Sequence, residues 1–96
     1  MIRSFGSKFA EDLYDGIYNK RSRFMNSSVH KLIVRKLDQL NAVTKILDLN
    51  VPPGNRLEKL RGSLASCWSI RVNRQYRIIF IWDGEDAHEV DIVDYH

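Results

Sequence analysis

Residues 68–82 read WSIRVNRQYRIIFIW. The upstream arm alternates, with Trp68, Ile70 and Val72 against Ser69, Arg71 and Asn73, the period of two that marks a half-buried strand. The downstream arm, Tyr76 to Trp82, is almost continuously β-branched or aromatic, which predicts a central strand. A three-residue loop, Asn73 to Gln75, sets Val72 opposite Tyr76, Ile70 opposite Ile78 and Trp68 opposite Phe80, so every apolar side chain meets another. A two-residue loop would mix the faces. The favoured register also sets Arg71 opposite Arg77. Like charges facing each other across a sheet are mildly unfavourable, and an anionic ligand would offset that repulsion.

Downstream of the hairpin, DGEDA turns the chain back and His88 to Tyr95 reads as a third antiparallel strand. A five-residue loop pairs Phe80 with Val90 and Ile78 with Ile92, puts Val93 opposite Arg77, and sends Tyr95 to the face carrying the two arginines. Upstream, DLNVPPGNR (48–56) ends a helical region, because paired prolines remove amide donors and Gly54 and Asn55 supply turn geometry. Leu57 and Leu60 anchor the next turn, leaving Arg56, Glu58, Lys59 and Arg61 to solvent. Before that loop, Val29, Leu32, Ile33, Leu37, Leu40, Val43 and Leu47 form one apolar stripe at helical spacing, with a break near Asn41 and N-cap candidates at Asn26, Ser27 and Ser28. Asn19 to Arg23 is a polar, basic loop. Ser7 caps a shorter helix built on Phe9, Leu13 and Ile17, loosened or ended by Gly16. Met1 to Phe5 is read as an edge strand joining the later sheet.

The 96 residues, 44% of them hydrophobic, suffice for one compact domain spanning 1–96 with a modest core. The net charge of +3 says less than its distribution. Residues 56–77 carry six basic side chains against Glu58 alone, while residues 78–96 carry six acidic and none basic. A clustered positive patch suits a polyanion partner. Cys67 is the single cysteine, so no internal disulfide forms, and no Cys and His spacing suggests a metal site. The chain shows neither a signal-peptide core nor a membrane span, and we expect a cytoplasmic protein without cofactor.

Two arginines, a basic loop and the cluster Asp94, Tyr95 and His96 suit phosphodiester cleavage of RNA without a metal. The adjacent 2′-hydroxyl attacks, so the enzyme supplies a base, an acid for the leaving oxygen, and cations for the phosphorane charge. Arg71 and Arg77 would supply the cations. His96, with an ordinary pKa near ~6.5, would shuttle the proton, oriented by Asp94. Each part also has a plain structural reading: a frayed terminal histidine, a core tyrosine, an aspartate neutralising an arginine. Trp68 and Trp82 are core residues by their spacing, and His30 and His88 sit on patterned secondary structure.

The order of a short strand, two helices, PPGNRLEKLRG (52–62), WSIRVNRQYRIIFIW and a terminal VDYH resembles HigB toxins of the RelE and ParE superfamily over essentially the whole chain. The resemblance implies an α+β fold with two to three N-terminal helices on a small, twisted, mainly antiparallel sheet. It also implies a bacterial type II toxin that cleaves mRNA at the ribosomal A site and so stops translation and growth. The implied partner is a HigA-like helix-turn-helix antitoxin, which contacts operator DNA on the toxin's behalf. Position by position, Arg71 and Arg77 match the sheet arginines, and Asp94, Tyr95 and His96 match the catalytic tail. Arg56, Lys59, Arg61 and Arg74 would grip RNA on the ribosome. Where some HigB proteins carry a catalytic histidine before the hairpin, this chain has Glu58, a base candidate that cannot serve as a cationic acid. A ParE-like toxin acting on DNA gyrase and a weakly toxic regulator that binds RNA or antitoxin are the competing readings.

Overall fold

The computed structural model describes residues 1–17, 22–62 and 66–94. Two helices, α1 (Lys8–Tyr14) and α2 (Ser27–Ala42), precede the strands β1 (Glu58–Lys59), β2 (Cys67–Arg71), β3 (Tyr76–Trp82) and β4 (Ala87–Asp94). The strands form one antiparallel sheet in the order β1-β2-β3-β4. The hairpin has the expected register: Trp68 faces Phe80, Ile70 faces Ile78, and Arg71 faces Arg77. Its loop closes through an Asx turn, in which Asn73 Oδ1 accepts from the amides of Gln75 (2.8 Å) and Tyr76 (2.7 Å).

One face of the sheet makes the core. Ile70, Ile78, Phe80, Val90 and Ile92 pack with Phe9 and Leu13 of α1 and Ile33, Leu37 and Leu40 of α2, all withdrawn from solvent. Asn26 caps α2 by accepting from the Ser28 amide at 2.8 Å, and Ser7 caps α1 by accepting from the Ala10 amide at 3.1 Å. The Tyr14 hydroxyl donates to Asp38 at 2.8 Å, tying the helices together, and burial with this carboxylate pushes its pKa up to about 12.

Five expectations are corrected. Helix α1 stops at Tyr14, because Gly16 takes φ 78° and the amides of Gly16 and Ile17 fold back onto the carbonyls of Leu13 and Asp12; Ile17 is left exposed. The α2 stripe does not reach Leu47: the chain turns out of the helix at Val43, and in the 3-10 turn Ile46–Asn50 it is Leu49 that is buried while Leu47 faces solvent. The stretch after Arg56 is a two-residue strand, β1, rather than a turn. The N-terminal segment forms two parallel bridges to β4, Ile2 with Ala87 and Phe5 with Val90, instead of a strand.

The fifth concerns β4, which begins at Ala87 after a four-residue loop, so that Trp82 faces Ala87 and Ile81 faces His88. Ile78 opposite Ile92 and Arg77 opposite Val93 hold as expected, whereas Phe80 and Val90 are not partners, because a bulge shifts the ladder between Ile79 and Ile81. Glu89 adopts φ 53° at the bulge, and its amide donates to Ser4 Oγ at 2.9 Å. Asn19, Lys20 and Arg21 of the expected basic loop lie outside the described residues; Ser22–Phe24 after them is a 3-10 turn.

Candidate functional site

The sheet face opposite the helices carries the candidate chemistry. Alternation puts Ser69 and Arg71 of β2, Arg77 and Ile79 of β3, and Val93 of β4 on that face, with Glu58 of β1 beside Ser69. Arg77 is 8% exposed. Its Nη2 donates to the Arg56 carbonyl at 3.0 Å and lies 3.5 Å from Glu58 Oε1. Arg71 is half-buried, and its Nε donates to the Asn73 carbonyl at 3.0 Å, which holds the guanidinium back along the hairpin. Two fixed guanidinium stems and a carboxylate therefore share one surface, an arrangement that combines anion binding with a proton acceptor.

The loop that meets Arg77 is built on Asn55. This residue is fully buried, and its Nδ2 donates to Leu49 O (3.0 Å), Gln39 Oε1 (3.1 Å) and Val51 O (3.3 Å). Its Oδ1 accepts from the Lys36 ammonium. Burial pulls the Lys36 pKa down, and the neighbouring Arg35 charge adds to that. Arg56 follows at φ 45°, ψ 56°, a left-handed conformation that turns its carbonyl to Arg77.

The remaining candidates divide. Arg56, Lys59, Arg61 and Arg74 are all exposed, Arg74 at the hairpin tip. Lys59 pairs with Trp68 and holds its ammonium 5.5 Å from that ring, on the opposite side of the β1 edge from Glu58. Asp94 is in register with Tyr76, which alternation assigns to the face of Ile78 and Ile92, so the sheet does not bring its side chain alongside the arginines; it accepts from Gln75 Nε2 at 3.0 Å. Tyr95 and His96 lie outside the described residues. His30 contacts the Ser22 carbonyl on the helical side, and His88, in register with Ile81 at the far end of the strand from Arg77, contacts the Asp83 carboxylate. Among the described residues no three His, Cys, Asp or Glu side chains gather as a metal site would require, and no helix is long and apolar enough to cross a membrane. Sequence reading assigned Asn55 only turn geometry and gave Lys36 no part in the site. The signal it passed over was an amide-bearing residue in a proline-rich turn flanked by apolar anchors.

A family model described as the RelE-like toxin of the type II toxin-antitoxin system HigB matches residues 3–96. The chain belongs to that family. It is 46% identical to Toxin HigB-1 of Vibrio cholerae serotype O1 over 85 residues, which are 88% of this chain and 87% of that one. An uncharacterized protein of Haemophilus influenzae is 39% identical over 64 residues, 67% of this chain and 63% of that one. Among solved structures, the fold of this HigB-like toxin recurs in the YoeB-YefM complex from Staphylococcus aureus, with a TM-score of 0.55 at 19% identity over 100% of this chain and 98% of that one. It recurs also in the YoeB/ParE toxin from Agrobacterium tumefaciens, with a TM-score of 0.54 at 17% identity over 99% and 98%. As the toxin of a type II system, the protein has an antitoxin partner.

Proposed function

We propose that this HigB-like toxin is an endoribonuclease, one toxin domain over residues 1–96, that cuts translated mRNA on the ribosome in the cytoplasm by metal-independent acid-base cleavage. The observation that carries the reading is the cross-strand pair Arg71 and Arg77 with the Glu58 carboxylate 3.5 Å from the Arg77 guanidinium. The arginines bind the scissile phosphate and stabilise the charge that grows as the 2′-oxygen attacks phosphorus. Glu58, half exposed beside Arg77, takes the 2′-hydroxyl proton. Tyr95 and His96 belong to the catalytic tail and His96 protonates the leaving 5′-oxygen. Asp94 orients that tail from the neighbouring strand end rather than touching the phosphate. Arg56, Lys59, Arg61 and Arg74 hold RNA through its backbone, so binding weakens as salt rises.

The proposed antitoxin is a HigA-like helix-turn-helix protein, through which alone the complex meets operator DNA. The test is a translating system with purified toxin, in which mRNA 5′ ends are mapped. Wild type should cut within codons only while translation runs, with no loss in EDTA at a free magnesium level that keeps ribosomes intact. Arg71→Ala should slow the cut by about 100-fold or more. Full-rate cleavage by Arg71→Ala would overturn the site, and intact mRNA with trapped gyrase complexes would overturn the activity in favour of a ParE-like target.

A further inference from the structure

We infer that Lys36 and Gln39 of α2 are positioning residues for the Arg77 guanidinium, acting through Asn55 and the Arg56 carbonyl. The inference rests on the reading of Arg77 as a phosphate-binding group. Helix α2 is the fixed end of this chain of contacts, with Ile33, Leu37 and Leu40 all at 0% exposure. From it Lys36 donates to Asn55 Oδ1, Gln39 Oε1 accepts from Asn55 Nδ2 at 3.1 Å, and Gln39 Nε2 donates to Val51 O at 2.6 Å. A buried amide with every group engaged has one position, since any displacement strands a donor or acceptor away from water.

That position dictates the next residue. The turn amides of Asn55 and Arg56 donate to Pro52 O (3.0 Å) and Pro53 O (3.1 Å), which leaves Arg56 to enter the left-handed region at φ 45°. A non-glycine residue stays there only where its surroundings over-determine it. The outcome is a carbonyl 3.0 Å from Arg77 Nη2, with Glu58 two residues on at 3.5 Å from the same nitrogen. Arg77 sits on β3 and could swing about its long stem; the Arg56 carbonyl limits that swing, and α2 limits the carbonyl. Loss of the Lys36 ammonium would leave Asn55 Oδ1 without its cation, free the turn to relax, and let the Arg77 guanidinium leave the geometry the phosphate needs. Misplacement of this kind lowers the rate of the chemical step more than it lowers binding.

The experiment compares wild type, Lys36→Met, Arg77→Lys and the double variant for ribosome-dependent cleavage, measuring kcat and KM. Lys36→Met should lower kcat about tenfold with KM within about twofold, and should cost less than about threefold more in the Arg77→Lys background. The same tenfold loss in both backgrounds, or an unchanged kcat, overturns the relay, because a merely structural lysine would act independently of Arg77. A second measurement does not need cleavage: proton exchange at the Arg77 Nη2 group, followed by nitrogen-15 NMR and assigned with Arg77→Lys, should be slow in wild type and faster in Lys36→Met. Equal exchange in the two proteins overturns the relay even if RNA is cut. Should wild type cut no RNA, the endoribonuclease reading falls and the exchange comparison alone decides the relay. Gln39→Leu, read in the same way, is the second variant if Lys36→Met does not fold.

Discussion

At the β1 edge the side chains that fasten the sheet are withdrawn from water, whereas at the β4 edge the side-chain ion pairs that supplement the backbone bridges of the N-terminal segment have their cations in it. The first edge depends on Asn55 at 0% exposure and Arg77 at 8%. The second adds to its backbone bridges the Met1 amine at 3.1 Å and Arg3 Nε at 3.0 Å from the same Asp86 carboxylate, with those cations' side chains 63% and 54% exposed and the carboxylate 16%. Exposed pairs contribute little to stability, while a buried polar group stripped of its partner costs the whole of its desolvation. Geometry is thus most strictly enforced beside the arginines, where the proposed chemistry needs it, and is looser at the edge that closes the fold.

The sharpest test of this contrast is Asn55→Ala, which takes the Asn55 amide away from the Leu49 carbonyl, Gln39 Oε1 and the Lys36 ammonium. It should cost about 3 kcal/mol and lower Tm by on the order of 15 °C in a thermal melt, with cleavage reduced even where the protein remains folded. A drop of under about 5 °C would erase the distinction between the edges. Gly6→Ala comes next: its Cβ would lie 3.0 Å from the Glu89 carbonyl oxygen, backbone that cannot step aside. We expect about 1–2 kcal/mol of destabilisation, read by urea titration, and unaltered cleavage per folded molecule.

Ser7→Ala removes the α1 cap and the 2.7 Å hydrogen bond from the Ser7 hydroxyl to Asp91, and should cost about 1 kcal/mol in the same titration.

The smallest effect belongs to Asp86→Asn, a Tm loss of about 2 °C or less that vanishes in 1 M salt. It carries a pH signature. Hydrogen bonds from Arg3 and the N-terminal amine hold the Asp86 carboxyl below the usual range, and Asp83 is lowered by the amide of Asp86 and then by His88. A carboxyl whose folded pKa is depressed stabilises the fold above its ordinary pKa of ~3.9, and that contribution is lost as pH falls through the folded value. Melting curves of wild type and Asp86→Asn should therefore differ at neutral pH and converge in acid. A gap that widens as pH falls would show that the Asp86 pairs do not hold the edge.

The hairpin was legible because side-chain alternation has only two phases, and just one lets Val72, Ile70 and Trp68 all meet apolar partners. Its fixed register placed Arg71 opposite Arg77 before any coordinates. The β4 bulge was not legible, since a glutamate at φ 53° is stabilised by Ser4, eighty-five residues away along the chain. Leu47 misled because helical spacing continued past the point where the backbone left the helix, and Leu49 took the buried place. Glu58 was named as a candidate from the sequence, yet its partnership with Arg77 emerges only because β1 adds itself to β2. The depth of Arg77 was hidden for a simpler reason: an arginine reads as surface until something is seen to cover it.

The brevity of β1 matters beyond the site it borders. A strand of two residues, Glu58 and Lys59, presents one carboxylate and one ammonium at the rim and almost no run of backbone for a second molecule to zip onto. Such a rim resists the open-ended stacking by which β-rich proteins become fibres. That side of the sheet therefore offers a second copy of the toxin little backbone to pair with.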